Sequence, residues 1–174
     1  MDKHLQNESG MSLAELLGAI VILFIITALT FPILLNGIKT ANTIQQETMF
    51  RDEADYLMVA LLKELYVTKE SELISRDTHE AGTPNYYIER STKDGETVNT
   101  KTGFINNKLV VANQVINTKN ENISILPGSS IVKKEEGQYE VILLLHLTSK
   151  KGKTMTFKNF IRTIDDIDKK EVNQ

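Results

Sequence analysis

The chain has 174 residues, no cysteine, and a formal net charge of −3 from 20 Lys/Arg against 23 Asp/Glu. Without cysteine there is no disulfide staple and no thiolate chemistry, and so even a charge balance lacks the basic signature of a nucleic-acid binder. The length suits one modest globular domain beyond any anchoring segment.

Residues 16–35 read Leu-Leu-Gly-Ala-Ile-Val-Ile-Leu-Phe-Ile-Ile-Thr-Ala-Leu-Thr-Phe-Pro-Ile-Leu-Leu and carry no charge. A helix of this length spans about 30 Å, the thickness of a bilayer's hydrocarbon core. In lipid a lone segment must satisfy its own backbone, so helix is the expected state despite the many β-branched residues. Pro32 removes one backbone donor and is expected to kink or loosen the helix near 27–32. Thr27 and Thr30 are placed to take up carbonyls freed in the turn before it. Asn36-Gly37 marks the exit from the apolar stretch. A cleaved secretory signal fits poorly, because the apolar region is too long and no Ala-x-Ala site follows. An uncleaved signal anchor fits better. Lys3 lies before the segment, Lys39 and Arg51 after it, so the positive-inside rule slightly disfavours a cytoplasmic N-terminus.

Glu15 is the only charge between Met11 and Leu35. A carboxylate beside a lipid-adapted run costs free energy unless something offsets it. One offset is local: Ser12-Leu-Ala-Glu15 has the form of a capping box, with Glu15 reaching back to the Ser12 backbone N–H. An acid in the first turn also suits the helix dipole. That reading requires no further function.

From 36 to 74 the periodicity stays helical. Ala54, Leu57, Met58, Leu61, Leu62 and Leu65 form an apolar stripe, with Asp52, Glu53, Asp55, Lys63 and Glu64 between them. Ile38, Ala41 and Ile44 extend the stripe upstream. One long helix is expected, its outer stripe covered by a sheet. Residues 75–84 read as a linker. Beyond them the pattern becomes β: a short strand at 86–90, a polar, turn-rich stretch at 92–103, and a hairpin of Phe104-Ile105 and Leu109-Val110-Val111 around Asn106-Asn107-Lys108. A strand at 123–126 stops at Pro127-Gly128. The clearest hairpin is last. Tyr139, Val141, Leu143, Leu145 and Leu147 share one face of 138–148, Lys150-Lys151-Gly152-Lys153 turns the chain, and 154–164 returns with Met155, Phe157 and Ile161 on one side. The tail 165–174 is charged and expected to fray. The fold class is therefore α+β, a long N-terminal helix packed against a small antiparallel sheet. There is no internal repeat.

The segment Gly10-Met11-Ser12-Leu13-Ala14-Glu15-Leu16-Leu17, after a short polar run 1–10, resembles the class III leader of type IV prepilins and pseudopilins. Their pattern is Gly, an apolar residue, Thr or Ser-Leu-x-Glu-Leu-Leu, and many of their helices carry a proline where Pro32 stands. The resemblance covers about 35 residues, and the order helix, loop, antiparallel sheet matches the family's. It implies a leader at 1–10, an assembly and membrane half of the helix at 11–35, an outer amphipathic half at 36–74 and a β domain at 75–174. It implies cleavage between Gly10 and Met11 by a prepilin peptidase, with methylation of the new Met11 amine. Glu15 would then lie one turn from that amine, at i and i+4, or meet the amine of a neighbouring subunit. Either pairing would offset burial of both charges and set register. Losing Lys3, Asp2 and Glu8 would leave 19 basic and 21 acidic side chains, net −2. The implied partners are the peptidase, other pilin-like subunits, a polytopic platform protein and membrane lipid. The implied function is a minor subunit of a type IV pilus or competence DNA-uptake filament. A type II secretion pseudopilin is the sibling reading, and an uncleaved single-pass anchor displaying a β-domain binding module is the rival.

Other chemistry is sparse. His4, His79 and His146 have no metal-ligand spacing. Asp77 and Glu80 would be the members of a calcium loop, since some pseudopilins bind calcium, but the alternating carboxylates of a strong site are missing. No nucleophile sits with a base and no glycine loop cradles phosphate, so neither an enzyme nor a cofactor is expected. Lys133-Lys134 and Lys150, Lys151, Lys153 read as solvated turns. The alternative, contact with DNA phosphates, lacks aromatics for stacking.

Overall fold

The computed structural model describes residues 11–74, 78–94, 96–148 and 152–166, with the side chains of 92–98 left aside. It divides into two compact units, 1–47 and 48–174. The first consists, in its described part, of the N-terminal portion of one helix, α1 (Leu13–Val67). All its side chains from 11 to 45 are exposed, Ile38, Ala41 and Ile44 included, so the upstream stripe has no cover among the described residues.

The second unit is α+β. The remainder of α1 buries Phe50, Glu53, Ala54, Leu57, Met58, Leu61 and Leu65 at spacings of three and four. This is the expected stripe with Phe50 and Glu53 added and Leu62 only half-buried. The helix ends at Val67, not at 74. Val67 and Thr68 are β-branched and poor at holding a helix end, and the Thr68 hydroxyl donates back to the Glu64 carbonyl at 2.9 Å. The backbone then pairs elsewhere: Ile164 N–H donates to Thr68 O at 2.9 Å and Glu70 N–H to Ile164 O at 3.0 Å. A 3-10 turn, Glu70–Glu72, follows.

Among the described residues eight strands form two antiparallel sheets. The first has the order β1 (Tyr86–Asp94), β2 (Glu96–Ile105), β3 (Lys108–Val111), β4 (Gln114–Ile116). In the second, β7 (Gln138–Leu147) pairs with β5 (Ile123–Ile125), β6 (Ser130–Glu135) and β8 (Lys153–Arg162). The expected last hairpin is present in register, from Gln138↔Arg162 to Leu147↔Lys153. Its turn residues Lys150 and Lys151 lie outside the described residues. Tyr139, Val141, Leu143, Leu145 and Leu147 are all buried. On the facing strand Met155, Phe157 and Ile161 pair with Leu145, Leu143 and Tyr139.

The stretch at 92–103 is a correction. It is not turn-rich loop but the ladder of β1 and β2, continuous from Tyr86↔Phe104 to Asp94↔Glu96. Polar residues occupy both parities there, so no alternation betrays it, and backbone pairing holds it. Gly103 sits where β1 crowds it: a Cβ there would collide with the Tyr86 carbonyl oxygen. The hairpin around Asn106-Asn107 forms with both residues at positive φ, as a two-residue primed turn requires. Ala112-Asn113 makes a second such turn, and with β6 it accounts for the two strands absent from the periodicity reading.

One core unites these elements. Phe50, Leu57, Leu61 and Leu65 from α1 join Tyr139, Val141, Leu143 and Leu145 from β7, with Ile131, Ile123, Phe104 and Leu109. Each fully buried side chain of this kind contributes about 1.5–3 kcal/mol.

Candidate functional site

The start of α1 is built by Ser12 and Glu15. The Ser12 backbone N–H donates to Glu15 Oε2 at 2.9 Å, and the Glu15 N–H donates to Ser12 Oγ at 3.3 Å. Leu16 N–H reaches Ser12 O at 3.1 Å and begins the helical ladder. The capping box is thus complete, and two otherwise orphaned donors are satisfied. Met11 precedes the cap and stands outside the helix. In the uncut chain the Glu15 carboxylate turns to the Ser12 N–H. Gly10 lies outside the described residues, as does the run 1–10.

Downstream, α1 is long and apolar enough to cross a membrane, and its apolar window has no burial within the protein. Leu23, Phe24, Ile25 and Ile26 are all more than half exposed. Leu, Ile, Val and Phe cover every side of the helix, a pattern suited to an apolar solvent and not to one buried face. Pro32 lies inside α1, whose helical run continues through it. The Thr27 hydroxyl donates to Leu23 O at 2.8 Å, and that of Thr30 to Ile26 O at 2.9 Å with a longer approach to Thr27 O. Both threonines bond carbonyls of the turns before Pro32, but not the one that Pro32 frees. Ala28, four residues before Pro32, is not among their acceptors.

The other expected site residues that are described have structural partners. Asp77 lies outside the described residues. Glu80 Oε2 accepts Asn85 Nδ2 at 2.5 Å and Thr83 Oγ1 at 3.0 Å. These bonds, the Asn85 amide foremost, hold its carboxyl below the usual range. Asn85 in turn accepts the Asn106 N–H at 2.9 Å, so Glu80 pins the loop 78–85 to the β2–β3 turn. Among the described residues no three His, Asp or Glu side chains cluster closely enough to hold a metal ion. His79 stacks on Tyr86, and its Nε2 lies 3.0 Å from Thr83 O. His146 Nδ1 lies 3.2 Å from Thr154 Oγ1. Of the lysine clusters, Lys134 is bound to Glu140 at 2.7 Å.

Three buried acids, Glu53, Glu70 and Glu140, were absent from the candidates. Glu53 is 4 % exposed and accepts the backbone N–H groups of Lys119 at 2.8 Å and Asn120 at 3.1 Å. Lys119 Nζ sits 4.1 Å over the Tyr56 ring. Glu53 thus clasps the connection between β4 and β5 onto α1. The signal was present in the spacing, because Glu53 falls three residues after Phe50 and four before Leu57, on the apolar stripe.

No family model, no curated protein and no solved structure matches the chain.

Proposed function

We propose that the chain is a pilin-like filament subunit, made as a membrane-anchored precursor, cut between Gly10 and Met11 and methylated on the new Met11 amine. One observation carries the reading. A capped helix start, Ser12 with Glu15, stands directly between the Gly10-Met11 junction and a charge-free helical run exposed on all sides. The run 16–35 holds the precursor in lipid and later packs against equivalent helices. Glu15 keeps its charge at the edge of that run. It offers a carboxylate to a cation, and the amine freed by a prepilin peptidase on a neighbouring subunit is the fitting one. A platform protein would then lift the subunit into the filament, with 48–174 displayed outside the cell.

Within this class we favour a minor subunit of a type IV pilus or competence filament over a type II secretion pseudopilin. The rival is a single-pass anchor that is never cut. A specific observation supports it: Ser12 already satisfies Glu15, so the acid needs no amine for its local stability. Intact-mass analysis of the chain purified from cells that also express a prepilin peptidase separates the two. A mature form beginning at Met11 with one added methyl is expected. A chain still beginning at Met1 under those conditions overturns the proposal and leaves the anchor.

A further inference from the structure

We infer that the outer edge of β8 is a docking site for an extended acidic segment of a partner protein, which adds to the second sheet as a further strand. Among the described residues β8 is hydrogen-bonded to β7 along its length, from Lys153 to Arg162. β5 and β6 occupy the opposite side of β7. Among the described residues the other side of β8 carries no strand over these ten residues.

The parity of that edge follows from four hydrogen bonds. In a strand the N–H and C=O of one residue point to one side, and successive residues alternate. Thr163 N–H donates to Gly137 O at 2.9 Å, on the β7 side. Ile164 uses both its N–H and its C=O on the other side, with Thr68 and Glu70. The Phe160 N–H is taken not by β7 but by the side chain of its own neighbour, Asn159 Oδ1, at 2.8 Å. The even-numbered residues Thr154, Thr156, Lys158, Phe160 and Arg162 therefore present their backbone groups outward. The short segment 68–70 already pairs on this edge at Ile164, in parallel, so the edge accepts strands.

Charge selects the occupant. β8 contains Lys153, Lys158 and Arg162 and no acid. A second copy of β8 laid alongside would set like charges opposite one another, which is unfavourable. Lys158 and Phe160 are 59 % and 68 % exposed and share a sheet face with Arg162. Cross-strand neighbours of these three fall at i, i+2 and i+4 of an incoming strand, so an acid, an apolar residue and an acid complement them. Backbone pairing supplies affinity and the alternate side chains supply selectivity.

The test uses the full chain in detergent micelles and capped peptides built on Glu-Thr-Val-Thr-Glu or on Lys-Thr-Val-Thr-Lys, with binding read by fluorescence anisotropy. The acidic peptide is expected to bind at least about ten-fold more tightly than the basic one. Methylation of its backbone nitrogens is expected to abolish binding. Thr156→Pro removes one outward donor while leaving the β7 ladder intact, because an edge strand tolerates proline on its solvent side. It is expected to weaken the acidic peptide at least about ten-fold. Should that variant fail to fold, Lys158→Glu with Arg162→Glu keeps the test, since it should reverse the peptide preference. Equal binding of both peptides, full binding of the N-methylated one, or self-association of the chain that Thr156→Pro abolishes would overturn the inference. The last result would make a second copy the occupant.

Discussion

The two portions of α1 carry comparable amounts of apolar side chain and put it to opposite use. From Leu13 to Ile44 no side chain is covered by the rest of the chain, whereas from Phe50 to Leu65 seven are buried. Charge content and arrangement separate them. The first portion is apolar on every side and carries no charge from 16 to 35, so no single face can be hidden and the matching environment is lipid. The second alternates charges with a stripe, so one face packs on a sheet and the other meets water. The same substitution should therefore read differently in the two portions. Leu61→Ala removes a core side chain that is 1 % exposed and should destabilise the 48–166 unit by about 2–5 kcal/mol. Leu23→Ala should leave that unit's unfolding midpoint unchanged. Near-UV circular dichroism of the full chain in micelles, reporting on buried Tyr139, measures both. Equal shifts for the two variants would break the distinction.

Glu53 sharpens the contrast, because each portion of the helix contains one acid on its apolar surface. Glu15 stands at an exposed end and is answered by its own cap. Glu53 is buried and is answered from 66 residues away in sequence, by the N–H groups of Lys119 and Asn120. Glu53→Ala strands two donors under the β4–β5 connection and should cost about 1–3 kcal/mol. Ser12→Ala should not move the outer unit's midpoint at all. Hydrogen exchange at the Lys119 and Asn120 amides provides the check: faster exchange in Glu53→Ala is expected, and unchanged protection would show that the clasp is not what holds the loop.

Legibility followed how much of each element's information lies in side-chain period. The stripe on α1 and the alternation of 139–147 were readable because burial on one face imposes periods of 3.6 and 2. The distal part of the β1–β2 ladder was not, since backbone pairing there proceeds without an apolar face, and Gly103 and the threonines were the only hints. The helix end at Val67 was also hidden. It depends on Ile164, almost a hundred residues away, competing for the backbone of 68–70. Ser12 and Glu15 were readable as a cap because a capping box is written within four residues. The outward parity of β8 was not, because it follows from which bonds Asn159, Thr163 and Ile164 make.

The smallest expected effect is a pH dependence confined to the outer unit. Glu140 lies on the outward face of β7, where the Lys134 ammonium at 2.7 Å, with Lys158 at 3.8 Å, holds its carboxyl below the ordinary range against an opposing effect of burial. Asp166 is held low by the Ser71 hydroxyl and N–H, a contact that ties the end of the sheet to the turn after α1. Each folded-state value lies below its unfolded value, so at acid pH the unfolded chain binds more protons and stability rises with pH there. The contribution is complete above about pH 5, since unfolded Asp and Glu titrate near 3.9 and 4.3. It is lost as pH falls through the folded-state values. Lys134→Met removes the main cause at Glu140 and should make the acid-side fall in unfolding midpoint shallower between about pH 5 and pH 3, with a smaller change for Ser71→Ala at the more exposed Asp166. The charge-free run 16–35 has no carboxylate to titrate, so its helical signal should persist through the same range. An identical acid-side slope in wild type and Lys134→Met would show that the pair across β6 and β7 stabilises neither strand.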